Sequence, residues 1–204
     1  VREILRTDPS ELAELAEEIH PAELAELVAQ LDDAEAAQVL SILPYEAALA
    51  AVEELEEPRR AEIFCSLSAE LQVRLANDMS PDERADLFAA IPEELRTQLF
   101  ARMDRRAAHD VRALLAWPET SAGGIMTTDF VALPDDMPVE QAIDRVRAAA
   151  AGMESIYDAY AVDPNGVLLG SVSLRDLVLA RPGTKVADVM DPNVASVAPE
   201  TDQE

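Results

Sequence analysis

The sequence is short of the residues that react and that punctuate. It has one cysteine, Cys65, two histidines, His20 and His109, and no glycine before Gly123. A lone cysteine rules out an internal disulfide and a thiolate metal cluster, and suits a reducing compartment, with the cytoplasm as the expectation. His20 stands beside Pro21, where a cap or turn role accounts for it, and His109 lies within a helical stretch. No Gly-x-Ser-x-Gly, phosphate loop, His-Glu-x-x-His or calcium-loop pattern occurs, and Gly123-Gly124 lacks the third glycine of a dinucleotide site. The expectation is a protein that is not an enzyme. No apolar run approaches the roughly 20 residues that span a bilayer, and the N-terminus has no secretory h-region. The chain starts without Met and closes on Thr201-Asp202-Gln203-Glu204, a capping box that announces a further helix, so a piece of a longer protein is expected.

Positive charge is also scarce. The 204 residues carry 41 acids against 16 bases, a net charge of −25. Residues 1–118 hold 26 acids and 11 bases, and residues 119–204 hold 15 and 5. Both halves therefore repel phosphate backbones and anionic lipid heads, which argues against nucleic acid as a partner and favours cations.

What is abundant is Ala, Leu and Glu at helical spacing. From Asp8 the first half divides into nine units of twelve residues, starting at Asp8, His20, Asp32, Pro44, Glu56, Ser68, Ser80, Pro92 and Asp104. The unit ends are Ile19, Leu31, Leu43, Leu55, Leu67, Met79, Ile91, Met103 and Leu115. Four residues earlier stand Leu15, Leu27, Val39, Ala51, Ile63, Leu75, Leu87, Leu99 and Val111, so two apolar columns share one helix face. Caps and first-turn prolines mark the starts. Each unit reads as one short helix and a tight turn. Helices this short need stacking, and a fixed period predicts a superhelical array.

After Trp117-Pro118 and the seam 119–130 the pattern changes. Residues 129–133 read as a strand, 139–151 as a helix, 159–162 as a strand, Asp163-Pro164-Asn165-Gly166 as a hairpin turn, and 167–172 as the returning strand. Ser173 caps a helix that ends by Pro182-Gly183. The order is β-α-β-β-α. A second copy then starts at residues 184–204, with a strand expected at 194–197.

Two constellations carry possible chemistry. Glu46, Asp78, Asp82 and Asp86 come from helix ends that stacking would gather along one edge; crowded carboxylates with no histidine or cysteine suit magnesium or calcium. The same residues equally serve as helix-terminal charges facing water. Ser173, Arg175 and Asp176 open a helix after a strand, a place for a phosphate and a ribose, or simply a capped helix.

The second half resembles a CBS domain, on SAGGIMTTDFVAL, YAVDPNGVLLGSVS and SLRDLVLA, with a second CBS copy beginning at KVADVMDPNVASVAPETDQE. The helical array before it, joined through AGGIMT, resembles the N domain of MgtE magnesium transporters. The resemblance implies a multi-domain chain, mostly α then α/β: a right-handed superhelical array over 1–118, a CBS domain over 119–183, and a truncated second CBS domain over 184–204. It implies the cytosolic magnesium-sensing part of an inner-membrane protein, a homodimer through its CBS domains, attached to a transmembrane pore domain of the same full-length chain. Magnesium between the N and CBS domains would favour the closed pore. Glu46, Asp78, Asp82 and Asp86 are then metal ligands, and Ser173, Arg175 and Asp176 an ATP segment, with Asp158 where the family has an aromatic. The alternatives are a CBS module that binds an adenosine nucleotide and regulates another effector, and a protein-docking helical scaffold.

Overall fold

The computed structural model describes residues 19–118, 120–150, 153 and 157–202. The chain divides into two compact units, Val1–Thr120 with Gly124–Met126, and Ser121–Gly123 with Thr127–Glu204.

The first unit is helical. Its helices are α1 (Pro21–Ala29), α2 (Asp33–Ile42), α3 (Tyr45–Glu53), α4 (Arg59–Ser66), α5 (Ala69–Asp78), α6 (Pro81–Ala90), α7 (Glu93–Phe100) and α8 (Arg105–Leu114). They follow the twelve-residue frame: seven begin directly after the expected unit start, and α4 begins after Pro58. The unit starting at Asp8, with Leu15, lies outside the described residues. Caps hold the starts in place. His20 Nδ1 accepts from Ala22 N at 3.3 Å, Asp32 from Glu35 N at 2.8 Å, and Ser68 from Leu71 N at 3.3 Å.

Short helices pack on the next but one: α1 on α3, α2 on α4, α4 on α6, α5 on α7 and α6 on α8. That pairing winds the array into a superhelix around one core, in which the unit-end residues Leu31 through Met103 and the column from Val39 to Val111 are buried. One column member departs. Leu27 is 36% exposed while Val28 is 1% exposed. The last turn of α1 closes with Leu31 N bonding Val28 O at 3.1 Å, and Val28 rather than Leu27 faces the core.

A second, polar column runs through the same units. Arg60, Gln72, Arg84 and Arg96 stand twelve residues apart, and each donates back to the end of the preceding helix: Arg60 to Leu55 O at 2.7 Å, Gln72 to Phe64 O at 2.8 Å, Arg84 to Met79 O and, at 3.0 Å, to Asn77 O, and Arg96 to Ile91 O at 3.2 Å. Helix C-termini leave carbonyls without intrahelical donors, and here a repeated side chain supplies them. Longer ties skip units: Ser80 N donates to Glu53 Oε1 at 2.7 Å and Asp104 N to Asn77 Oδ1 at 2.9 Å.

The second unit is α/β. It contains β1 (Ala132–Pro134), α9 (Val139–Ala150), β2 (Asp158–Val162), β3 (Leu168–Ser173) and α10 (Leu174–Leu179), with a single 3-10 turn at Val186–Asp188. The sheet order is β1-β2-β3, parallel between β1 and β2 and antiparallel between β2 and β3. Parallel pairing requires a crossover, which α9 provides. Val139, Ala142 and Val146 of α9 pack on Leu133, Ala159, Ala161, Val172 and Leu177. In the hairpin Gly166 takes φ +82°, and Asp163 accepts from Asn165 N and Val167 N, both at 2.8 Å.

Two expected strands change. The first begins at Ala132 rather than Asp129, because Asp129 N turns back to Thr127 Oγ1 at 3.2 Å and the parallel register opens only at Ala132 opposite Tyr160. Residues 194–197 form no strand, since no ladder partner lies beside them among the described residues. The start of the 184–204 stretch is instead fastened to the α/β unit. Val139 N bonds Thr184 O, Val186 N bonds Met137 O, and Ser171 and Asp191 exchange bonds of 3.0 and 2.8 Å. Gly170 permits that last approach: a Cβ there would stand 2.6 Å from Asp191 O.

Candidate functional site

The expected metal ligands are all on helix ends. Glu46 is exposed in the first turn of α3, and Asp78 is the exposed last residue of α5. Asp82 lies half-buried in the first turn of α6, and Asp86 is exposed one turn further on. Asp78 is brought to the start of α3 by the Tyr45 hydroxyl, which donates to Asp78 Oδ2 at 2.6 Å. Above the Tyr45 ring, 3.3 Å from its centroid, lies the Arg74 guanidinium carbon. Burial pushes the Tyr45 hydroxyl well above the usual tyrosine range, and the hydrogen bond to Asp78 adds to the push.

Around Asp82 and Asp86 the acids are crowded. Glu83 pairs with the buried Arg60, whose Nε also lies 3.8 Å from Glu57. Glu83 and Glu57 are both held above the ordinary carboxylate value, chiefly by burial and further by the charges nearby, while Arg60 opposes the rise. The donor set is carboxylate oxygen, which fits a hard cation. Among the described residues, however, no three His, Cys, Asp or Glu side chains come together to hold an ion. Carboxylates presented singly or in pairs suit a hydrated hard cation and not an all-protein cage.

The α/β residues are placed differently. Ser173 Oγ accepts from Asp176 N at 3.1 Å and donates to Asp176 Oδ2 at 2.6 Å, a reciprocal cap at the start of α10, with Arg175 exposed between them. The sequence expectation that Ser173 caps this helix holds, with Asp176 as its partner, and Arg175 takes no part in the cap. A cavity of about 580 Å³ opens elsewhere on this unit, lined by Asp129, Phe130, Tyr157, Asp158, Tyr160 and Leu168 among others. Phe130 and Tyr160 meet edge to face at 5.9 Å. Ser173, Arg175 and Asp176 do not line it. His20 is the cap described above, and His109 is exposed beside Asp110.

Tyr45 and Arg74 were missed in the sequence. Tyr45 lies 33 residues from Asp78, not a multiple of the twelve-residue unit, so periodicity could not pair them. The only signal was adjacency: Tyr45 precedes Glu46, and Arg74 stands one helical turn before Asp78.

The fold is thus a superhelix of short capped helices followed in the chain by a small α/β domain, the architecture of a two-domain helical and α/β module. The model of the MgtE intracellular N domain matches residues 19–120, and that of the CBS domain matches residues 122–183. The magnesium transporter MgtE of Thermus thermophilus is 45% identical over 102 residues, 50% of this chain and 23% of that protein. That of Enterococcus faecalis is 37% identical over 97 residues, 48% of this chain and 21% of that protein. The aligned stretch thus spans under a quarter of these relatives' length. Among solved structures, the cytosolic domain of the Mg2+ channel MgtE in complex with ATP superposes with a TM-score of 0.90 at 35% identity, covering 98% of this chain and 82% of that one. The soluble part of a magnesium transporter gives 0.86 at 24% identity, over 98% and 79%, a likeness of fold. This chain belongs to the MgtE family.

Proposed function

We propose that this chain is the magnesium-responsive cytosolic region of an MgtE-type magnesium channel or transporter. The observation that carries the reading is the match along 98% of the chain to an MgtE cytosolic domain, together with acids on helix ends and no catalytic constellation in the sequence. The functional division is an N domain over 1–118, a first CBS domain over 119–183 and the beginning of a second over 184–204. The pore lies in the same full-length chain, at the inner membrane, and two copies associate through their CBS domains.

Glu46, Asp78, Asp82 and Asp86 supply single carboxylates toward hydrated magnesium, whose charge offsets repulsion between the acidic N and CBS domains. The bound ion selects the compact arrangement and the closed pore, and its loss frees the acids to repel. It acts only through tighter binding to one state. Fixed helix ends contribute by holding the backbone of each acid in place, which lowers the ordering cost of binding.

A second reading, ATP binding, is favoured by the ATP named in the structure of the relative. In this chain Asp176 would face ribose hydroxyls and Arg175 a phosphate, with Ser173 beside them. Small-angle scattering tests the first reading: magnesium, against potassium at equal ionic strength, should shrink the radius of the chain. An unchanged radius would contradict bridging by these acids.

A further inference from the structure

We propose that Tyr45 is a positioning residue for the Asp78 carboxylate, holding one of its oxygens so that the other is presented to a hydrated divalent cation; this rests on the reading of Asp78 as a magnesium ligand. Asp78 ends α5, where the helix dipole disfavours an anion. A carboxylate placed there would ordinarily swing freely in water. It is instead bonded through Oδ2 to the hydroxyl of a tyrosine from another helix, at 2.6 Å, a length typical of a strong charge-assisted bond.

The tyrosine is itself fixed. Its ring lies under the Arg74 guanidinium, which springs from α5 one turn before Asp78. Arg74, Tyr45 and Asp78 therefore form a closed clasp: α5 supplies the cation and the carboxylate, α3 the ring between them. Asp78 Oδ1 has no hydrogen bond in the clasp, and Asp78 remains exposed. Glu46 follows Tyr45 directly in the first turn of α3. Outer partners that orient a metal-binding carboxylate act through geometry, and losing one commonly weakens affinity by about tenfold or more.

The test is magnesium titration calorimetry on the 204-residue chain, with Tyr45→Phe and Asp78→Asn variants and thermal melting of each without magnesium. Tyr45→Phe keeps the ring under Arg74, so the fold should persist. The expected result is roughly tenfold weaker binding in Tyr45→Phe at a nearly unchanged melting midpoint. Magnesium should also produce a tyrosine ultraviolet difference signal in the parent chain that Tyr45→Phe removes, which a merely structural tyrosine would not give. If Asp78→Asn weakens binding and Tyr45→Phe does not, the positioning role is overturned while the magnesium reading stands. If Asp78→Asn leaves binding unaltered, both are overturned at this residue.

Discussion

The two units bury their apolar residues to different degrees. Between residues 19 and 118 Leu27 is the one large hydrophobic side chain exposed, joined in the first unit only by Ile125 and Met126 of the seam, whereas the α/β unit exposes Phe130, Tyr157, Val167, Leu168, Leu174, Val178, Leu179 and Val197. The helical unit repeats one solution: most helices pack on the helix two units away, and a polar column at Arg60, Gln72, Arg84 and Arg96 finishes four helix ends. The three-stranded sheet has no such recurrence. Its helices cover one face through Ala159, Ala161 and Val172, while Phe130, Tyr160 and Leu168 border an open cavity. Repetition makes a surface self-sufficient, and a short sheet leaves apolar area for other groups.

The comparison can be broken first at the helical core. Phe88 is fully buried and meets Phe100 in a tilted ring contact at 5.2 Å. Phe88→Ala should cost about 4 kcal/mol in denaturant unfolding, by lost burial and a cavity. A loss below about 1 kcal/mol would mean that the array collapses around the gap. Next comes the polar column: Arg84→Leu leaves the carbonyls of Asn77 and Met79 without this donor and should cost about 3 kcal/mol. A neutral result would show that apolar stacking alone finishes the helix ends.

In the α/β unit the comparable weak point is backbone clearance. Gly170→Ala should destabilise by about 2 kcal/mol, since the new methyl meets the Asp191 carbonyl and the Met190 sulfur. Amide exchange near Val186 and Asp191 should accelerate in that variant. The smallest effect is electrostatic. The folded carboxyls of Glu57 and Glu83 titrate above the ordinary 4.5, so their contribution is fully present below 4.5 and is lost as pH rises through the raised values. The melting midpoint should therefore decline modestly from pH 4.5 toward neutrality, and Glu57→Gln should flatten that slope.

The helical unit was legible because its information is periodic. Two apolar columns and the caps located α1 to α8, with α4 starting later than its unit, at Arg59, and with Val28 taking the core position expected of Leu27. The polar column was also written at intervals of twelve, at Arg60, Gln72, Arg84 and Arg96, but an apolar search passes over it. In the α/β unit the Asn-Gly turn and the Ser173 cap marked β3 and α10 closely. The first strand was misplaced because pairing, not propensity, decides where a ladder opens. Residues 194–197 have strand composition without a ladder. For the candidate site, residue type is what led to the proposal of a hard cation, since the donors are carboxylate oxygens. The Tyr45–Asp78 bond depends on tertiary placement and left no mark beyond nearby residues.

The central claim is that helix-end carboxylates make this chain respond to magnesium. A calorimetric titration of the chain with magnesium chloride, beside a Glu46→Gln/Asp78→Asn/Asp82→Asn variant and a potassium chloride control, tests it most directly. The account predicts saturable binding by magnesium, none by potassium, and strong weakening in the triple variant with its melting midpoint retained. Equal magnesium binding by the parent and the triple variant would contradict it.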